Sequence, residues 1–224
     1  GDADSGRVIL EAVGEIRQHN PALRYLCDPV MGDVGRGVFV NPAIPDFLRD
    51  QAIPCATIIT PNQFEFELLT GSQPASLQEA VKVARQLRGR GPDVVIVTSL
   101  ATADIPEDEL GTLAVNGEGA WLVTTPRLAL HPLPNGMGDV FSATLLGRLL
   151  AGQALPQALA AWDTYERLGS PEGELALVQA VVYLATAPKS NALYKAESAA
   201  KRTARETGSL MPPKHILNAP TKLM

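Results

Sequence analysis

The chain has 224 residues, of which 46% are hydrophobic and 19% charged, with a formal net charge of −5. That length buries one sizeable core with room for a small second one, so the chain reads as globular and not disordered. No dense basic block offers a general affinity for nucleic acid, and no run approaches the roughly 18 apolar residues of a membrane span.

Cys27 and Cys55 each sit among apolar residues, the usual setting of buried free thiols, so a disulfide framework is not expected. The opening Gly1-Asp2-Ala3-Asp4 is not a signal peptide, which predicts a soluble, cytoplasmic protein. A first residue other than Met and an unpunctuated Met224 read as a piece of something longer.

In chain order, Val8, Ile9, Ala12, Val13 and Ile16 stand at helical spacing over 5–18, and Asn20-Pro21 ends that helix. A short strand from Leu23 to Cys27 runs into Asp28-Pro29. Asn41-Pro42 reads as N-cap and first residue of a helix to about Gln51. The strand Thr57 to Thr60 ends at Pro61-Asn62. Asn62 with Glu65 has capping-box spacing for the next helix, and Ser76 with Glu79 repeats it for a helix to about Arg88. Asp93 to Thr98 is almost purely β-branched, as a strand buried on both faces should be. Gly111 to Val115 and Ala120 to Thr124 flank the turn Asn116-Gly117 as a hairpin, and a long helix spans about Met137 to Ala151. The alternation predicts an α/β fold with a mostly parallel sheet flanked by helices.

From Trp162 onward no strand pattern appears. Residues 161–224 carry eight Lys/Arg against six Asp/Glu, a net +2 that leaves −7 for the first 160. Two regions follow, an α/β region over 1–158 and an all-helical segment over 159–224.

Three segments suggest chemistry. In Asn135-Gly136-Met137-Gly138-Asp139 two glycines let backbone N–H groups at a helix start approach a phosphoryl group, and Asp139 in the first turn is placed to accept a proton from an attacking hydroxyl. The same residues also read as a glycine turn before a helix. Asp28-Pro29-Val30-Met31-Gly32-Asp33 lies at the carboxyl end of a predicted strand, where open α/β sheets place ligands. Its two carboxylates suit Mg²⁺ or a monovalent cation, or are simply solvated. Thr60-Pro61-Asn62-Gln63-Phe64-Glu65 suits either plain helix capping or the ordering of waters around Mg²⁺.

In this order, Asp28 to Asp33, Ile59 to Glu65, Val97-Thr98-Ser99 and Asn135 to Asp139 resemble four successive signature segments of the ribokinase-like superfamily, and more closely its pyridoxal kinase branch, over about residues 1–158. The resemblance implies a ribokinase-like fold and ATP-dependent phosphorylation of the hydroxymethyl group of pyridoxal. It implies Asp139 as the base at the substrate and Gly136, Met137 and Gly138 as the anion hole. Asp28, Thr60, Asn62, Glu65, Thr98 and Ser99 would lie at ATP, with Thr124, Thr125, Pro126 and Arg127 near the adenosine. Asp28, Asp33 and Glu65 would serve Mg²⁺, with K⁺ a further candidate. Met137 stands where relatives often carry Thr or Val, so a hydroxyl contact to phosphate is lost. The family's chain begins some tens of residues earlier, with strands that bind pyridoxal, so the nucleotide half is expected here and much of the acceptor half is not.

In the tail, Ala161 to Glu174, Ala187 to Ala192 and Asn218 to Met224 look like the C-terminal helical domain of replication-associated recombination AAA+ ATPases, a domain that serves oligomerisation. No GxxxxGK[ST] phosphate loop accompanies it. Two alternatives therefore stand beside pyridoxal kinase: a non-catalytic helical assembly module, forming a homo-oligomer, and a related kinase for hydroxymethylpyrimidine or a sugar. No membrane partner is expected, nor nucleic acid at the kinase region.

Overall fold

In the computed structural model residues 2–127 and 137–159 are described. Helix α1 (Ala3–His19) starts on Asp2, whose side chain accepts from the Ser5 amide, and is followed by β1 (Leu26–Cys27) and a small hairpin of β2 (Gly32–Asp33) and β3 (Gly37–Val38). Next, α2 (Ile44–Phe47) passes through a π-helical turn, Leu48–Ala52, into α3 (Ile53–Cys55). Strand β4 (Ile58–Ile59), helices α4 (Gln63–Thr70) and α5 (Leu77–Arg88), strands β5 (Val94–Leu100), β6 (Glu109–Val115) and β7 (Ala120–Pro126), and helix α6 (Met137–Leu150) complete the order.

The main sheet has the order β1-β4-β5-β6-β7. The pairs β1–β4 and β4–β5 are parallel, whereas β5–β6 and β6–β7 are antiparallel. The sheet is thus mixed where a mostly parallel one was expected. The reason lies in the connections: helices carry the chain between the parallel strands, but residues 101–108 and 116–119 are too short for a crossover and return the chain directly. In the second of these, Asn116 Oδ1 accepts from the amides of Glu118 and Gly119, closing the hairpin turn.

Successive strand residues point to opposite faces, and the two cores follow that alternation. Ile59, Val95, Val97, Leu113 and Val115 face Phe66, Ala80, Ala84 and Leu87 of α4 and α5. Ile58, Ile96 and Ala114 face Phe141, Leu145 and Leu149 of α6. The expected strand buried on both faces is therefore β5. Asn62 forms the full capping box with Glu65, and α4 ends on Gly71 at φ +67°, a left-handed position that glycine takes without steric cost. Ser76 caps α5 by accepting from the Glu79 amide, but the Glu79 carboxylate bonds the Ala75 amide, one residue before the cap.

Three local expectations need correction. Strand β1 is restricted to Leu26–Cys27, the residues with a partner on β4, and among the described residues no strand pairs with its other side. The helix expected from Pro42 starts at Ile44, because Asn41 closes a turn instead, its side chain accepting from the Ala43 amide and its carbonyl from the Ile44 amide. On α1 the stripe of Val8, Ile9 and Ile16 is exposed; the half-buried stripe is Ala3, Gly6, Leu10, Val13 and Arg17, with Gly6 so close to the Phe47 ring that a Cβ there would lie 2.4 Å from it. Cys27 is buried and Cys55 half-buried, both as free thiols, and burial pushes the Cys27 thiol up to about 11. Among the described residues no helix is long and apolar enough to cross a membrane. The segment 128–136 and everything beyond 159, including the expected all-helical segment, lie outside the described residues.

Ile96, fully buried in the middle strand on the α6 side, sets a stability test. Ile96→Ala should lower the unfolding free energy by about 2–5 kcal/mol in urea denaturation, whereas Val8→Ala, at a 63% exposed position, should change it by less than about 0.5 kcal/mol.

Candidate functional site

Parallel strands end at one edge of a sheet, and β1, β4 and β5 deliver Asp28, Thr60 and Thr98 to that edge. Thr60 is buried, and its hydroxyl donates to Asp28 Oδ1 at 3.2 Å. A second hydrogen bond at 3.0 Å joins Thr60 Oγ1 to Ser142 Oγ on α6. The backbone of Gly138 comes to the same place from the helix start, where a Cβ would lie 3.6 Å from Asp28 Oδ2. Asp139 follows in the first turn, exposed to solvent. The amides of Met137 and Gly138 belong to the first turn of α6, whose N–H groups have no partner within the helix.

Burial raises the Asp28 carboxyl above the ordinary carboxylate value; the Thr60 hydroxyl opposes this and the negative Asp139 adds to it. Among the described residues neither aspartate has an ion-pair partner. Two carboxylates of like charge beside the N–H groups of a helix start suit a hard cation bridging to an anion, and Mg²⁺ needs only one or two carboxylates because it keeps several waters. Asp28 fits such an ion. Asp33 does not join it: it is exposed on the β2–β3 hairpin with Oδ1 accepting from the Val34 amide.

Glu65 is 3% exposed and already occupied by backbone groups. Oε1 accepts from the Met31 amide at 2.8 Å and the Gly32 amide at 3.5 Å, and Oε2 from the Asn62 amide at 2.9 Å. Burial raises its carboxyl, and these three N–H groups oppose the rise. Asn62 adds a tether from its Nδ2 to the Gly32 carbonyl at 2.9 Å. Together they fasten the base of the β2–β3 hairpin to the start of α4, close to Asp28. Asp28, Asp33 and Glu65 thus do not form a metal cage, and among the described residues no cluster of three or more His, Cys, Asp or Glu does. Glu65 acts by shaping the loop after Asp28.

At the end of β5 the Thr98 amide donates to the Pro61 carbonyl, which carries the sheet edge across to β4. Ser99 follows at φ +55°, a left-handed conformation uncommon outside glycine, where the pairing with β6 breaks register. Gln63 Oε1 supports this turn by accepting from the Ala101 amide at 2.8 Å. Thr124 and Thr125 are half-buried on β7, paired with Gly111 and Leu110, and Pro126 and Arg127 are exposed beyond them. Arg127 forms one wall of a cleft of about 550 Å³ whose other walls include Ala101, Thr102 and Pro106, just past Ser99. Gly136 lies outside the described residues. Ser142 and Gln63 were missed as site residues: Ser142 follows Asp139 by one helical turn, a spacing that marks a shared face, while nothing in the sequence announces Gln63.

The raised Asp28 carboxyl makes a signed prediction. A carboxyl raised in the folded state contributes stability that is complete below its ordinary value and is lost as pH rises through its folded value. Asp28→Asn should therefore melt at a higher temperature than the parent chain at neutral pH, with the difference closing on acidification, as read from thermal melts between about pH 3 and pH 8.

A family model for phosphomethylpyrimidine kinase matches residues 5–166, and a second, for the C-terminal region of the MgsA AAA+ ATPase, matches residues 149–224. The pyridoxal kinase PdxY of Deinococcus radiodurans is 46% identical over 191 residues, which cover 80% of this chain and 64% of that protein. This chain therefore spans less than two thirds of the length of that relative. The solved pyridoxal kinase of Entamoeba histolytica has a TM-score of 0.64 at 26% identity, over 75% of this chain and 60% of its own. The pyridoxal kinase of Leishmania donovani, solved in complex with ADP and pyridoxamine, has a TM-score of 0.57 at 29% identity, over 64% of this chain and 52% of its own. With the kinase model covering well over half of the sequence, the chain belongs to the phosphomethylpyrimidine kinase family, of ribokinase-like fold.

Proposed function

We propose that this chain carries the nucleotide and phosphoryl-transfer machinery of an ATP-dependent kinase that phosphorylates the hydroxymethyl group of pyridoxal. The observation that carries the reading is the joining of Asp28, Thr60 and Ser142, which sets the carboxyl ends of β1 and β4 against the first turns of α6, beside Gly138 and Asp139. ATP use is supported by the ADP complex of the Leishmania relative, and pyridoxal as acceptor by the names of the relatives.

In this reading Asp139, exposed at the helix start, takes the proton of the acceptor hydroxyl. The acceptor oxygen bonds to the γ-phosphorus as the bond to the β–γ bridging oxygen breaks, and ADP leaves. The amides of Met137 and Gly138, with Gly136 before them, meet the spread negative charge of the group in flight. Asp28 is the residue that would hold Mg²⁺, which supplies charge neutralisation at the phosphates when bound; K⁺ is a second candidate there. Thr60, Thr98 and Ser99 line the phosphate edge, with Asn62 and Glu65 shaping it from behind. Thr124 to Arg127, of which Arg127 lines the cleft, lie toward the adenosine. Free thiols at Cys27 and Cys55 suit a reducing, ATP-supplied cytoplasm.

The test is turnover of ATP, Mg²⁺ and pyridoxal by the chain and by Asp139→Asn. Loss of the proton acceptor should lower kcat by about 10²–10⁴-fold, and equal turnover would remove Asp139 from the mechanism. Hydroxymethylpyrimidine, assayed in parallel, should be the poorer acceptor.

A second reading is favoured by one observation, the match of residues 149–224 to the AAA+ ATPase C-terminal model. Here that segment drives self-assembly of the chain. Sedimentation of the full chain and of residues 1–160 should then show a larger species only for the full chain; a monomer in both would exclude it.

A further inference from the structure

We propose that Ser142 is a positioning residue for phosphoryl transfer: its hydroxyl, donating to Thr60, holds the first turns of α6 against the Asp28 carboxylate and so fixes where Gly138 and Asp139 stand.

The direction of the hydrogen bonds follows from the number of protons. A threonine hydroxyl has one proton to give, and Thr60 gives it to Asp28 Oδ1, which as a carboxylate can only accept. The 3.0 Å bond between Thr60 and Ser142 therefore has Ser142 as its donor. Ser142, Thr60 and Asp28 form one polarised chain running from helix to sheet edge.

Its surroundings make the bond matter. Ser142 is 7% exposed and Thr60 4%, and Ser142 sits on the face of α6 that also buries Phe141, Leu145 and Leu149. A hydroxyl on that face is costly unless bonded. Serine inside a helix commonly bonds back to the carbonyl four residues earlier; this one reaches across to the sheet.

Its place in the helix gives it leverage. Ser142 follows Asp139 by three residues, one turn along the same side of α6. Apolar contacts alone allow a helix to slide or rotate by fractions of an ångström, whereas a directional bond one turn from the catalytic position does not. Displacement of about 1 Å at such a site costs on the order of 10²-fold in rate. Gly138, whose missing Cβ would lie 3.6 Å from Asp28 Oδ2, stands where any such movement is felt first. Ser142 thus acts through Thr60 and Asp28 and touches no reacting atom.

The catalytic consequence rests on the kinase reading; the hydrogen-bond chain can be tested without it. In Ser142→Ala the tie from α6 to Thr60 is lost, so the Ser142 and Ala143 amides in the first turns of α6 should exchange with deuterium several-fold faster than in the parent, while exchange near Leu149 is unchanged, as read by hydrogen-exchange NMR on the full chain. In Ser142→Thr, which keeps the hydroxyl, exchange should return to the parent rate. With pyridoxal and MgATP, Ser142→Ala should lower kcat by about 3–10-fold, the loss of one neutral hydrogen bond, with KM for pyridoxal unchanged. Exchange at the start of α6 identical in the parent and in a folded Ser142→Ala would overturn the proposal. Should Ser142→Ala fail to fold, Ser142→Cys, of similar volume and a weak donor, is read by the same two outcomes. A parent chain that does not turn over pyridoxal refutes the kinase reading alone, because hydrogen exchange still decides the role of Ser142.

Discussion

One buried hydroxyl, that of Thr60, ties together the strand ends and the helix start of the candidate site. It donates a hydrogen bond to Asp28 at the end of β1, sits itself at the end of β4, and shares a second hydrogen bond with Ser142 of α6, for which the proton count makes Ser142 the donor. The helix layer and the sheet otherwise meet through Phe141, Leu145 and Leu149 against Ile58, Ile96 and Ala114, contacts that specify burial but are tolerant of direction. A polar bond in that setting specifies position. The helix start, with its first-turn amides and Asp139, is thereby tied to the strand ends and not merely packed near them.

The same edge is built at the expense of local stability. Asp28 is half-buried beside the like charge of Asp139, with the Thr60 hydroxyl as its hydrogen-bond donor. Ser99 holds a left-handed backbone conformation where β5 loses register with β6. Such features persist only where the surroundings over-determine them. Here the surroundings are specific: Glu65 collects three backbone amides, Asn62 holds the Gly32 carbonyl, and Gln63 holds the Ala101 amide, so three residues at the α4 start fasten the loops that follow both β1 and β5. The start of α4 is the anchor for two loops, although it presents no reacting group of its own.

Much of this was legible in the sequence, and the parts that were not share a cause. The capping spacing of Asn62 and Glu65, the β-branched run of β5, the Asn116-Gly117 turn and the apolar run after Asp139 are signals carried within a few residues, and each produced the expected element. What the same residues do at long range is a different matter. Glu65 satisfies its cap and also takes the amides of residues 34 and 33 positions earlier, which no local pattern encodes. That long-range use is what removes it from a carboxylate trio with Asp28 and Asp33, a grouping that the family resemblance implies. Similarly, α1 has two candidate apolar stripes; the one containing Gly6 is chosen because glycine lets the helix backbone approach Phe47, and a hydrophobicity pattern undervalues a residue whose merit is having no side chain.

Phosphoryl transfer asks little covalent chemistry of a protein and much positioning, and the residues described here match that demand in kind. The groups aimed at the sheet edge are backbone amides, two carboxylates and a row of hydroxyls, none of which reads the shape of an acceptor. In the reaction proposed for this chain, acceptor choice then falls to other side chains of the family's fold, and rate to how firmly α6 is held against β1 and β4. A helix fixed by Ser142 through Thr60 to Asp28 meets that requirement with a bond whose donor, carrier and acceptor lie on three separate elements, so a shift in any one of them is transmitted to the position of Asp139.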